Sequence, residues 1–330
     1  MRKARVAIAG AGMVGSYLHR IMKNDGVDAD LYTLNGISTK CGIHPCAWGT
    51  SRPFFDLVRL AGLDPYDYVL MHADKVIFQG TEIPADLLTF DKPRLIKDLQ
   101  NGTQVRDGRI GADGYERVID ATGVARAYLP PVRADFTIPC IQYRVVGADL
   151  DPAAVYITYG DIGFSWSFPL SENEFHVGGG SATVDPSRMV RQSGLLDHGG
   201  KASCACAGRV RISTPQASVP FVSMNPEVGC EVWGVGESIG VVAPIAGEGV
   251  VHGMKSALIL AQCWESPEVY VANIQAEFSW MPTERKILEK LMSGKSLSIS
   301  DWRALMKMGR RMGANLGFRE TMSLLSFLVR

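Results

Sequence analysis

Three glycines, Gly10, Gly12 and Gly15 in the stretch AIAGAGMVG, stand between an apolar run and a segment with helical spacing. Glycine at such positions lets the backbone approach a pyrophosphate, whose charge the positive end of the following helix favours. The chemistry this spacing serves is dinucleotide binding; the alternative is a glycine turn that only packs helix on strand. The carboxylate that ordinarily ends the second strand and holds the adenosine ribose is replaced by Thr33, with Asp30 and Asn35 nearby. Far along the chain, in VWGVGESIGVVAPIAGEGVVHGMKSALILAQ (232–262), a strand ends at Gly236-Glu237, a loop carries Pro244, and Gly247-Glu248-Gly249 opens a second helix. A helix N-terminus there favours the negative charge that a reduced flavin gathers at its N1/O2 side, which points to flavin rather than nicotinamide. The competing reading is a glycine-rich turn without a ligand.

Other candidates are less defined by spacing. Phe164, Trp166 and Phe168 occupy alternate positions of a predicted strand, so they share one face, either a plain aromatic core or the wall of an apolar slot. Cys46 lies in an irregular stretch rich in Gly, Cys, Pro and Trp (35–51), where its thiol either meets a ligand or is a small buried hydrophobe. Cys41, His44 and Cys46, and Cys204 with Cys206, are spaced as neither half of a zinc knuckle, so no metal site is expected; a disulfide among them is the better minority reading. Lys307, Arg310, Arg311 and Arg319 alternate with Met306, Met308, Met312, Leu316 and Phe318. That pattern suits a helix packed on its own domain or on a second subunit, or one lying on a membrane surface.

These residues need a scaffold. The chain has 330 residues, enough for two lobes with a large core, and 34 basic against 34 acidic residues, which gives no field to attract nucleic acid. Seven cysteines in a chain of this length do not read as a secreted disulfide framework, no signal peptide precedes the first strand, and no apolar run is long enough to span a bilayer. The expectation is a cytoplasmic protein, with peripheral membrane contact through the C-terminal helices as an extension. A strand at 5–9, the glycine turn, a helix to Lys23 and a strand at 27–33 form a βαβ opening. A helix follows at 54–61, strand-like alternation at 68–83, a helix at 91–100, then a small β-meander feeding a strand at 117–120. Residues 139–180 and 208–221 read as a second, sheet-based lobe; 231–236 as a strand returning to the first; 248–263 as its helix; and 267 onward as helical. The predicted fold is α/β in two lobes: a Rossmann-like FAD-binding lobe (1–135 and 225–265), an inserted antiparallel β-sheet substrate lobe (136–224) and a helical C-terminal portion (266–330).

GESIGVVAPIAGEGVVHGMKSA resembles the second FAD motif of the geranylgeranyl reductase family, among the flavoproteins built like p-hydroxybenzoate hydroxylase. VIDATGVAR (118–126) resembles the Asp-Ala-x-Gly strand end of these flavoproteins, FSWSFP (164–169) the aromatic signature of the reductases, and Pro45-Cys46 with Gly49 their cysteine-bearing loop. The resemblance spans about residues 5–265. It implies FAD, with Gly10, Gly12 and Gly15 at the pyrophosphate, Thr33 at the ribose position, Gly123 at the strand end, Glu237 with Lys92 or Arg94 at the phosphate and ribitol end, and Gly247 and Gly249 donating backbone N–H to the ring. It implies that Cys46, Trp166 and Phe168 bound an apolar or lipid substrate whose carbon-carbon double bond takes a hydride from reduced flavin N5, with ferredoxin or NAD(P)H as electron donor. The chain departs from the family at Glu237, where aspartate is usual, at Lys92, where arginine is usual, and in short segments between motifs and at the C-terminal end. The alternatives are a flavin monooxygenase or dehydrogenase on the same scaffold, and a non-catalytic isoprenoid or lipid carrier with a degenerate flavin site.

Overall fold

The computed structural model describes residues 5–33, 46–112, 114–133, 135–160 and 162–314. The chain opens with β1 (Val6–Ala9), α1 (Met13–Asn24) and β2 (Ala29–Thr33). In α1, Met13, Tyr17, Leu18 and Ile21 recur at helical spacing and bury one face. There follow β3 (Gly49–Ser51), α2 (Pro53–Leu60), the hairpin β4 (Val69–Phe78) and β5 (Thr81–Phe90), α3 (Lys92–Leu99), β6 (Val105–Asp107) and β7 (Arg117–Asp120). Next come β8 (Thr137–Val146), β9 (Ala154–Gly160), β10 (Gly163–Ser171), β11 (Glu174–Ser181), α4 (Pro186–Gln192) and β12 (Lys201–Arg211). The chain closes with β13 (Phe221–Asn225), β14 (Cys230–Gly234), α5 (Val250–Gln262), α6 (Pro267–Glu277), α7 (Met281–Met292) and α8 (Ile299–Arg311).

Two sheets divide the molecule. One has the order β13-β14-β7-β1-β2-β6, all parallel except the edge strand β13. Its strands are nearly continuous runs of buried apolar residues, as expected for a parallel sheet covered on both faces. Ala9 is in register with Tyr32 and Asp120, and Asp120 with Gly234, so four strands end at one level. Ligands of open α/β sheets bind at that carboxyl edge. α1 packs against α3 and α5 there. Arg117 locks the far end of α5 to this sheet: its guanidinium lies 4.5 Å from the Trp233 ring centre and 3.9 Å from that of Trp264, and it donates to the Trp264 carbonyl at 2.7 Å.

The second sheet has the order β12-β8-β11-β10-β9-β4-β5-β3, antiparallel except for the β4–β9 pair. The α/β two-lobe expectation therefore holds, with three corrections in its parts. The alternation at 68–83 is a hairpin turning at Gln79-Gly80, and it joins the second sheet rather than the nucleotide lobe, because β4 pairs with β9. The β-meander is absent among the described residues: β6 pairs parallel with β2, and the chain then crosses irregularly to β7. The stretch 208–221 is strand only to Arg211, and Phe221 begins β13 of the first sheet.

α6 to α8 form the expected helical portion. Ser266 caps α6 by accepting from Val269 N, and Ser298 with Asp301 makes a reciprocal capping box for α8. Arg311 of α8 pairs with the buried Glu284 of α7. Leu316, Phe318 and Arg319 lie outside the described residues, as do Asn35, Cys41 and His44. Among the described residues no helix is long and apolar enough to cross a membrane, and no group of His, Cys, Asp and Glu is arranged to hold a metal.

Candidate functional site

Each glycine of the first turn is required for a different reason. Gly10 has φ +111°, and a Cβ on it would lie 2.3 Å from the Ala121 carbonyl oxygen. A Cβ on Gly15 would lie 1.8 Å from the Gly10 carbonyl oxygen, so glycine alone lets α1 sit this close to the turn. At Gly12 a Cβ would meet nothing within 4 Å, and this residue begins α1 without a side-chain cap. The open side of the turn thus presents uncapped helix donors, the arrangement that receives a diphosphate. Gln100, which sequence reasoning missed, braces the turn from α3 by donating to the Ala11 carbonyl at 3.0 Å and to Ser16 Oγ at 2.8 Å.

Thr33, expected at the ribose, ends β2 beside Asp107 of β6, and its carbonyl accepts from Gly108 N. Asp30 is engaged elsewhere: it pairs with Arg106 at 2.8 Å and accepts from the Tyr115 hydroxyl. Asp120 is fully buried and holds the next strand end together, accepting from Thr122 N, Thr122 Oγ1, Tyr128 N and Leu129 N. That loop swings Gly123 (φ +63°) to the carboxyl of Glu237, whose Oε2 would lie 3.4 Å from a Cβ there. Glu237 Oε1 accepts from Arg211 N at 2.7 Å. Burial pushes its carboxyl above the usual range, opposed by that hydrogen bond and by the charges of Arg211 and Lys92. Lys92 begins α3, whose N-terminus Asp91 caps by accepting from Arg94 N. The Arg94 guanidinium is engaged elsewhere: it donates to the Asp67 carbonyl at 2.8 Å and stacks over Tyr68.

The turn before α5 is closed by Ala243 N donating to the Glu248 carbonyl and Gly247 N donating to the Ala243 carbonyl at 2.8 Å. The N–H of Gly247 is therefore consumed inside the turn, which corrects its expected role as a ring donor. What Gly247 contributes is its φ of +69°. Gly249 begins α5 with no side-chain cap, which leaves the first donors of that helix for a ligand.

Opposite this turn lies one face of the second sheet, whose register fixes what it displays. Phe164, Gly180 and Cys140 are neighbours across β10, β11 and β8; Trp166, Gly178 and Gln142 form the next row; Phe168, His176 and Arg144 the third. Phe164 stands 5.6 Å from Trp166, ring centre to ring centre, and its tip would touch a Cβ on Gly247 at 3.8 Å. The Trp166 indole crosses β11 over Gly178, where a Cβ would fall 2.6 Å from the ring, and donates to Gln142 Oε1. Gln142 in turn donates to the Cys46 carbonyl at 3.1 Å. Cys46 itself packs with Trp48, Leu170 and Cys206. Phe168 turns partly into the apolar cluster of Ala73, Ala85, Leu87 and Val155, and a Cβ on Gly49 would collide with it.

The structure thus brings Trp166 and Cys46 together through Gln142, and adds two residues that the sequence reading did not single out. Trp48 holds φ +60°, a strained conformation for a bulky residue, and is buried edge-on to His176 at 4.6 Å. His176 is fully buried with Nδ1 3.4 Å from the Ala47 carbonyl and Nε2 unpartnered; burial lowers its pKa to about 4, so the ring is neutral. The signal available in the sequence was Gly178-Gly179-Gly180, since glycines inside a strand mark a place where something approaches closely.

The parallel sheet with its glycine turn, faced by an aromatic wall on a second sheet, defines a two-lobed α/β protein. The same architecture occurs in a geranylgeranyl bacteriochlorophyll reductase-like protein from Thermoplasma acidophilum, with TM-score 0.71 and 18% identity over 98% of this chain and 99% of that one. It occurs also in the tryptophan 5-halogenase MibH (TM-score 0.66, 15% identity, 93% and 76% covered) and in a flavoprotein/dehydrogenase from Cytophaga hutchinsonii (0.62, 11%, 89% and 87%). Identities this low establish the fold. No family model matches the chain, and no curated protein matches it in sequence.

Proposed function

We propose that this chain is an FAD-dependent oxidoreductase that reduces a carbon-carbon double bond in an isoprenoid or similarly apolar substrate. The observation that carries the reading is the approach of Phe164 to Gly247, which sets an aromatic wall against the turn that opens α5. The flavoprotein/dehydrogenase and reductase-like descriptions of two structural neighbours support a flavin-dependent reduction. When bound, FAD would supply a hydride from N5.

The chain's own residues divide the remaining work. Gly12 and the first turn of α1 hold the diphosphate, Lys92 offers a cation near Glu237 at the ribitol end, and the uncapped start of α5 favours negative charge on the ring. Phe164 and Trp166 exclude water from the alkene, and Gln142 fixes the indole so that the wall keeps its shape. Two arginines beside this face are held in partnerships, Arg144 with Glu174 and Arg211 with Asp135, which suits an apolar substrate.

The test is the visible absorption spectrum of the purified protein with acid release of any yellow cofactor, followed by anaerobic mixing of the reduced protein with prenyl alkenes. Reoxidation of flavin with saturation of the alkene supports the proposal. Rapid substrate-dependent NADPH oxidation in air would replace it with a monooxygenase, and a colourless protein that takes up no added FAD would replace it with a carrier.

A further inference from the structure

We infer that Asp107, at the end of β6, supplies the carboxylate that holds the adenosine ribose of the nucleotide, in place of the acid that β2 lacks at Thr33. The inference rests on the flavin reading above and adds a residue to it. In open α/β nucleotide folds the ribose diol is held by a carboxylate at the carboxyl end of the second strand. A threonine hydroxyl there is shorter and uncharged, and offers one oxygen where a carboxylate offers two.

The strand register brings a carboxylate to the same level. β2 and β6 run parallel with Leu31 opposite Val105, Tyr32 opposite Arg106 and Thr33 opposite Asp107. Gly108 N donates to the Thr33 carbonyl at 3.1 Å and fixes the last pair, while Gly10 N donates to the Tyr32 carbonyl at 2.8 Å and ties this strand end to the glycine turn. Side chains alternate along a strand, which decides the face each carboxylate serves. Asp30, Tyr32 and Arg106 share one face, where Arg106 lies 2.8 Å from Asp30 and donates to the Tyr32 hydroxyl at 3.4 Å. Thr33 and Asp107 share the other face with Leu31 and Val105, which pack into the core formed with Leu18 of α1 and Leu99 of α3. Asp107 is exposed one pair beyond that core, on the side of α1 and its glycine turn. Its backbone stands one strand spacing, about 4.8 Å, from that of the missing acid.

The experiment measures binding of ADP and of 2′-deoxy-ADP to the full-length apoprotein by calorimetry, with FAD titrated in parallel. The wild type is expected to bind ADP about tenfold more tightly than its 2′-deoxy analogue, and Asp107→Asn to bind the two within about twofold of each other while FAD affinity falls about tenfold. Asp30→Asn removes a carboxylate from the opposite face and should keep the wild-type ratio. Thr33→Glu added to Asp107→Asn returns an acid to β2 and should restore that ratio. A carboxylate that only shapes the turn at Gly108 would weaken both nucleotides alike, so an unchanged ratio in Asp107→Asn overturns the inference, as does a wild type that binds both nucleotides equally or an equal loss in Asp30→Asn. Should Asp107→Asn not fold, Asp107→Ser takes its place. A wild type that takes up no FAD, yet distinguishes the two nucleotides through Asp107, ends the flavin reading and keeps the ribose assignment; one that binds neither nucleotide ends the assignment whatever FAD does.

Discussion

Trp166 and Gln142 meet across a glycine: the indole passes over Gly178 and donates to the amide oxygen of Gln142 3.4 Å away, on the far side of β11. The amide then donates to the Cys46 carbonyl, so one side chain, 1% exposed, ties the aromatic wall to the cysteine loop. Gln142→Met keeps the volume and removes both partners. It should cost about 1–3 kcal/mol, the penalty of leaving a buried donor and acceptor unpaired, measured by denaturant unfolding. Turnover of an apolar substrate should fall further than stability does, because the indole is then free to tilt.

Gly12 and Gly15 separate binding from folding. A Cβ at Gly12 meets open space and its backbone is extended, so Gly12→Val should unfold at the wild-type denaturant concentration yet lose FAD affinity by a factor of ten or more. Gly15→Ala drives a methyl into the Gly10 carbonyl and should cost about 3 kcal/mol or more, as overpacked sites do. Calorimetry of apoprotein alongside FAD titration distinguishes the two; a Gly12→Val protein that retains flavin at full occupancy would show the site to be elsewhere.

The glycine turn was legible in the sequence because its requirements are local: AIAGAGMVG encodes a positive φ, a close approach and an open side within six residues. The alternation of Phe164, Trp166 and Phe168 was equally legible. Sheet membership was not, since β4 and β5 carry strand periodicity but nothing in it specifies that β4 pairs with β9, some eighty residues away. Gln142 and His176 escaped notice for a related reason. A polar residue in a predicted strand reads as solvent-facing until the register reveals Trp166 and Trp48 above it.

His176 should make stability fall with acid. Burial depresses its pKa from 6.5 to about 4, so between these values the unfolded chain binds a proton that the folded protein refuses. Stability is retained above about pH 6.5 and declines as pH drops toward 4, by on the order of 3 kcal/mol from this residue. His176→Asn should flatten that part of a pH series of denaturant melts. An unchanged slope would mean that Nε2 finds a proton-stabilising partner in solution.

Glu237 carries the opposite sign and couples stability to binding. Burial holds its carboxyl above the ordinary 4.5, so ionisation as pH rises past that value favours the unfolded chain, in which the carboxylate is hydrated. Glu237→Gln removes the charge, and its side-chain oxygen still accepts from Arg211 N. The apoprotein should therefore melt later at neutral pH by about 1 kcal/mol, as neutralising a partly buried charge does. The same change leaves the Lys92 ammonium without its nearby counter-charge at the site proposed for the ribitol and phosphate end, and FAD affinity should change with it. A variant that is more stable without cofactor and binds FAD differently would identify Glu237 as a residue kept for the ligand; a variant that is less stable and binds FAD unchanged would assign the carboxylate to the fold, as the anchor of Gly123 and the end of β12.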